Sequence, residues 1–69
     1  MVEVFKTNIF KHEQAKLILS VLKSKYPDTK INFDLDDCDK ILRVEGKKIK
    51  TGEITNLITS KGFECEILE

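Results

Sequence analysis

The apolar residues of this chain change their period four times in 69 residues, and that alternation limits the available folds more than any compositional figure does. Residues 2–7 read as a strand, with Val2 and Val4 alternating inward against Glu3; Phe5 and Lys6 interrupt the pattern and leave the face of Phe5 open. Residues 12–26 then place Ala15, Ile18, Leu19, Leu22 and Tyr26 at helical spacing, while Lys16, Ser20, Lys23 and Ser24 face away. Pro27-Asp28 supplies the stop. Residues 30–36 alternate strictly, with Ile31, Phe33 and Leu35 on one side and Asn32 and Asp34 on the other. Asp36-Asp37-Cys38-Asp39 makes a turn, and residues 40–45 return as a strand with Leu42 and Val44 inward, closed by Gly46. Thr51 reads as the N-cap of a second helix that buries Ile54, Leu57 and Ile58 and holds Glu53 in its first turn. Gly62 suits the left-handed position after it, and residues 63–68 form a last strand with Phe63, Cys65 and Ile67 on one face.

The order is β-α-β-β-α-β within a single domain, residues 1–69. Each element has one apolar side, so the chain must close as two layers. Right-handed crossovers turn that order into an α+β, ferredoxin-like sandwich: a four-stranded antiparallel sheet with two helices on one face. A chain of this size buries only ~60% of its unfolded surface, so its stability margin is thin. The same topology gathers the turn after the first strand, the hairpin tip at residues 36–39 and the Lys61-Gly62 corner at one end. At the other end lie Lys23, Lys25, Lys30, Lys47, Lys48 and Lys50, a pattern that suits a helix C-terminus and soluble loops.

Twelve basic residues balance twelve acidic ones, which argues against a general nucleic-acid or membrane-surface binder. The open sheet face is expected to show Glu3, Asn32, Asp34, Arg43, Glu64 and Glu66, with Phe5 as its one candidate aromatic, a poor platform for stacking RNA bases. No apolar run approaches the ~20 residues of a bilayer span, and no apolar leader opens the chain. Two cysteines, Cys38 and Cys65, form no Cys-x-x-Cys pair and no disulfide framework; both are expected as free thiols in the cytoplasm. One His, no serine placed against it and no Gly-rich phosphate loop give no catalytic constellation, so an enzyme is not expected.

The helix Ala15-Lys16-Leu17-Ile18-Leu19-Ser20-Val21-Leu22, the acidic hairpin around Phe33-Asp34-Leu35, Val44-Glu45-Gly46, and the ending Lys61-Gly62-Phe63-Glu64-Cys65-Glu66-Ile67-Leu68 together resemble the heavy-metal-associated domain of copper chaperones and metal-pumping ATPases. The resemblance runs over nearly the whole length. It implies a two-thiolate site for a soft ion such as Cu(I), in a Met-x-Cys-x-x-Cys loop between the first strand and the first helix. Here Ile9 stands at the Met position, and Lys11 and Gln14 stand at the cysteine positions. A lysine ammonium has no lone pair to give, and neither side chain offers the sulfur that selects Cu(I). The family's metal transport therefore does not carry over to this chain.

Three readings follow. In the first, the chain is a non-enzymatic interaction module with a protein partner and no cofactor, using a rim of Phe10, Lys11, His12, Glu13, Lys61 and Phe63. Lys11 then pairs with the acidic tip, Cys38 is the more reactive thiol, and Cys65 is a small core residue. In the second, His12 and Cys38 join one or two of Asp36, Asp37 and Asp39 as a mixed N/S/O site for zinc or copper. His12 alone reads as a solvated residue, and the Asp run as a polar turn. Self-association along a strand edge stands as a third reading.

Overall fold

Six elements follow one another along residues 1–68, the residues that this computed structural model describes: β1 (Val2–Thr7), α1 (His12–Lys25), β2 (Lys30–Asp34), β3 (Ile41–Glu45), α2 (Thr51–Ser60) and β4 (Cys65–Leu68). The strands form one sheet in the order β2-β3-β1-β4, antiparallel at every neighbour. Both helices contribute to one core with the inward residues of the sheet, so both cover the same face. This is the ferredoxin-like βαββαβ sandwich expected from the alternation of periods.

Directly opposed residues in an antiparallel pair point to the same face. The rows across the sheet therefore sort the side chains. Phe33, Leu42, Phe5 and Ile67 lie in one inward row, and Ile31, Val44 and Glu3 in the next. Phe5 is fully buried. This settles its face and corrects the expected pattern of β1: Val2 and Val4 point to the open face, and Glu3 points to the helix side. The physical reason is the period of two. One large aromatic in register with Leu42 and Ile67 sets the phase, and every other residue of the strand must follow. Consequently the open face carries no Phe5 and gains Val2, Val4, Ile41 and Leu68.

α1 buries Ala15, Ile18 and Leu22, and α2 buries Ile54 and Ile58. Leu19, Tyr26 and Leu57, also expected inward, are half-buried against that core. Each fully buried Leu, Ile or Phe contributes ~1.5–3 kcal/mol of transfer free energy, which is how so short a chain sustains one core.

The element ends differ from expectation where local hydrogen bonds intervene. Thr51 is the first helical residue of α2 and not its N-cap; Lys50 holds that position without a side-chain bond, and its carbonyl accepts from the Glu53 and Ile54 amides. The Thr51 carbonyl accepts from the Thr55 hydroxyl at 2.8 Å. β2 ends at Asp34 because Leu35 and Asp36 already turn, and β4 starts at Cys65 because Phe63 is held by the end of α2. There Gly62 adopts φ +91°, and the Gly62 and Phe63 amides donate to the Thr59 and Ile58 carbonyls, the Schellman pattern.

Candidate functional site

Three loops meet at one end of the sheet, and two short polar residues at the end of β1 tie them together. The Thr7 amide donates to the Asp39 carbonyl at 3.1 Å, and the Thr7 hydroxyl donates to the Lys40 carbonyl at 2.6 Å. The same hydroxyl oxygen accepts from the Ile9 amide at 3.2 Å. Asn8 reaches the other way, its Oδ1 accepting from the Glu64 amide at 2.8 Å. β1 thus latches the hairpin tip on one side and the entry to β4 on the other.

The tip has its own bracing. Asp37 Oδ1 accepts from the Asp39 amide at 2.8 Å, a side chain closing its own turn. Lys40 sits at φ +47°, uncommon for a residue with a Cβ. Its ammonium donates to the Leu35 carbonyl at 2.9 Å, across the mouth of the turn.

On this frame the β1–α1 loop divides its side chains. Ile9 is fully buried and belongs to the core. Phe10 is 62% exposed, the most exposed aromatic in the chain, and the Lys11 ammonium lies 5.7 Å from its ring centroid. His12 and Glu13 are exposed. Gln14 is half-buried, and its Oε1 has no hydrogen-bond partner. Lys61 is exposed and Phe63 packs partly against the core.

The expected ion pair from Lys11 to the acidic tip is not formed. Lys6 makes it instead, 3.8 Å from Asp39. Lys6 projects from β1 on the open face opposite Ile41, two residues from Asp39, whereas Lys11 lies five residues further along and turns over its own neighbour Phe10. Both partners are about half exposed, so the pair contributes at most ~1 kcal/mol.

The metal-ligand candidates fall into two places. Asp37, Cys38 and Asp39 bring one ligand atom each within 4.8 Å of one another. His12 and Asp36 lie outside that group and line a groove of about 380 Å³ between α1 and β2, with Lys16, Leu19 and Phe33. One thiol and two carboxylates are acceptable zinc donors. The Lys6 ammonium, already on Asp39, and that of Lys40, across the turn, both oppose an incoming cation.

The two thiols differ as their places dictate. Cys38 is exposed on the tip, while Cys65 is half-buried opposite Thr7. Burial pushes the Cys65 thiol up to about 11, with the Thr55 hydroxyl opposing in part. At the far end, burial raises the Tyr26 phenol, and the Glu53 carboxylate adds to the rise. There Lys25, Lys47 and Lys48 surround the Tyr26-Pro27-Asp28-Thr29 turn, so the lysines do collect at the end opposite the rim.

The latch residues Thr7, Asn8 and Lys40 were absent from the sequence-derived site, since threonine and asparagine at a strand end are ordinary turn formers. No helix among the described residues is long and apolar enough to cross a membrane. In comparisons with known proteins, no family model, no curated protein and no solved structure matches this chain.

Proposed function

We propose that this chain is a non-enzymatic interaction module that docks a protein partner through the rim formed by Phe10, Lys11, His12 and Glu13 with Lys61 and Phe63, on a fold of the heavy-metal-associated type. The observation that carries the reading is Phe10. A large aromatic stands 62% exposed at the apex of a loop whose neighbours are latched in place. Aromatic side chains, Phe among them, are enriched at the cores of protein interfaces, and the Lys11 ammonium over the Phe10 face sets a positive charge beside this one. A rigid frame lowers the ordering cost on binding. Lys11 supplies a fixed positive charge where relatives of the resembled type hold a metal, and this favours a partner with an acidic rim of its own.

The test is affinity capture with wild type, Phe10→Ala, Lys11→Glu and, as a control at the far end, Lys47→Glu. A partner retained by wild type and the control but lost by both rim variants supports the reading. Capture that ignores both rim substitutions sinks it.

The tip favours a second reading, zinc or copper held by Asp37, Cys38 and Asp39, because three donors already converge there. It ranks behind the first, since Lys6 and Lys40 bring cations to the same tip. Zinc titration by calorimetry on wild type and Cys38→Ser separates the two: heat lost in the variant supports a metal site, and no heat in wild type removes it.

A further inference from the structure

The outer edge of β2 is the second feature that asks for a partner, and its sequence says which one. β2 is an edge strand, a regular run Lys30-Ile31-Asn32-Phe33-Asp34 without Pro or bulge, whose only guarding charges are Lys30 and Asp34, opposite in sign and at opposite ends. The geometry points to a second copy of this chain paired antiparallel along β2, centred on Asn32, so that two sheets join as one of eight strands.

The argument is one of register. A two-fold axis at Asn32 sets residue 30 of one copy opposite residue 34 of the other. Lys30 therefore faces Asp34 twice, once on each side of the axis, and Asn32 faces Asn32 between them. On the helix side Ile31 faces Phe33, also twice. Every cross-strand pair is then either opposite in charge, apolar with apolar, or amide with amide, the combinations that stabilise antiparallel neighbours. The polarity extends beyond the strand. Lys23 flanks the Lys30 end of the edge, and Asp36 flanks the Asp34 end, where His12 and Lys16 also stand. Antiparallel pairing brings the basic end of one copy to the acidic end of the other. The half-buried Phe33, Leu35 and Leu19 beside the edge supply apolar area for the second copy to cover.

The opposite edge fails the same test. β4 has four described residues, Cys65-Glu66-Ile67-Leu68. Centred on Glu66 it sets Glu66 against itself, and centred on Cys65 it sets Glu64 against Glu66. Like charges directly opposed are destabilising. Centred on Ile67 it sets Glu66 against Leu68, an unmatched pair. Among the described residues of the two edges, only those of β2 are self-complementary.

The charge pattern provides a test independent of the rim. Full-length wild type, Lys30→Asp, Asp34→Lys and an equimolar mixture of the two variants are compared by sedimentation equilibrium at protein concentrations up to about 1 mM, the weak end of specific association. Wild type is expected to show a concentration-dependent dimer. Each variant alone places like charges opposite each other twice and is expected to associate at least about tenfold more weakly. The mixture restores both opposite-charge pairs in a heterodimer and is expected to recover wild-type association. Recovery in the mixture also shows that the variants are folded. Wild type monomeric throughout, variants that dimerise like wild type, or a mixture that stays monomeric would each overturn the proposal.

Discussion

Replacing Thr7 by Val is the sharpest probe of the latch that holds the rim. The side chain is 6% exposed, so the substitution keeps shape and methyl packing while deleting one oxygen. That oxygen serves two backbone groups, donating to the Lys40 carbonyl at 2.6 Å and accepting from the Ile9 amide at 3.2 Å. The buried Ile9 amide left without a partner costs about 1–3 kcal/mol and the part-buried Lys40 carbonyl about 1, so the loss should fall at about 2–4 kcal/mol. A domain of this length has only about 3–10 kcal/mol in total. In a domain of this size each kcal/mol moves the midpoint by about 4–8 °C, so Tm should fall by about 8–32 °C. The companion variant Thr7→Ser keeps the hydroxyl and deletes the methyl, at a cost of about 1 kcal/mol. Urea denaturation followed by far-UV circular dichroism gives both numbers. Hydrogen exchange should show the Ile9 amide losing protection in Thr7→Val alone. The reasoning is refuted if Thr7→Val lies within about 0.5 kcal/mol of wild type, or if Thr7→Ser is the less stable variant, because packing and not hydrogen bonding then holds the latch.

Four further outcomes are expected. A Cβ at Gly46 would stand 2.7 Å from Thr29 Cγ2, and Thr29 cannot rotate freely because its hydroxyl donates to the Tyr26 carbonyl at 2.6 Å. Gly46→Ala should therefore cost about 1–3 kcal/mol by urea denaturation, and Thr29→Ser in the same chain should recover most of it. The Cys65 thiol is raised in the folded chain from 9.0 to about 11, so the folded state holds its proton longer than the unfolded one. That contribution is complete below pH 9.0 and is lost as pH rises through about 11. Discounted for the half-exposed position it amounts to about 1–2 kcal/mol, and Cys65→Ala should flatten part of the alkaline slope measured by urea midpoints. Thiol labelling near neutral pH should modify exposed Cys38 first, with Cys65 slower by on the order of a hundredfold. Finally, Gln14→Leu removes a buried amide oxygen that has no partner and should raise stability by about 1 kcal/mol, read from the same urea midpoints.

The order of elements was legible because each long element has a clean period. Ile31, Phe33, Leu42 and Val44 alternate without exception, and Ile18 and Leu22 keep helical spacing, so topology followed from handedness alone. β1 resisted the same reading because its apolar residues are not in phase: Val2 and Val4 compete with Phe5, and only the register against Leu42 and Ile67 decides between them. Thr51 misled for a related reason. A threonine before a helix is a cap signal, but here its hydroxyl has no capping bond and the helix begins one residue earlier in the backbone. Element ends depend on which carbonyl accepts which amide, and that is decided by neighbours far away in sequence.

The β1–α1 loop shows where sequence reasoning about a site reaches its limit. The residues themselves show that Lys11 and Gln14 offer no sulfur ligand in this loop. They do not show the fate of each remaining side chain, because it depends on contacts with partners 30 and more positions away. Thr7 meets Lys40 and Asn8 meets Glu64; these two bonds turn the loop so that Ile9 enters the core and Phe10 leaves it. An exposed Phe forgoes the transfer free energy that its burial would return, roughly 2–3 kcal/mol, against a total stability of about 3–10 kcal/mol. The latch is therefore what makes the rim readable. It fixes an aromatic outward, where the side chain gains nothing on folding and is left free to gain by contact, which is why the rim and not the lysine-rich end is the place to test for a partner.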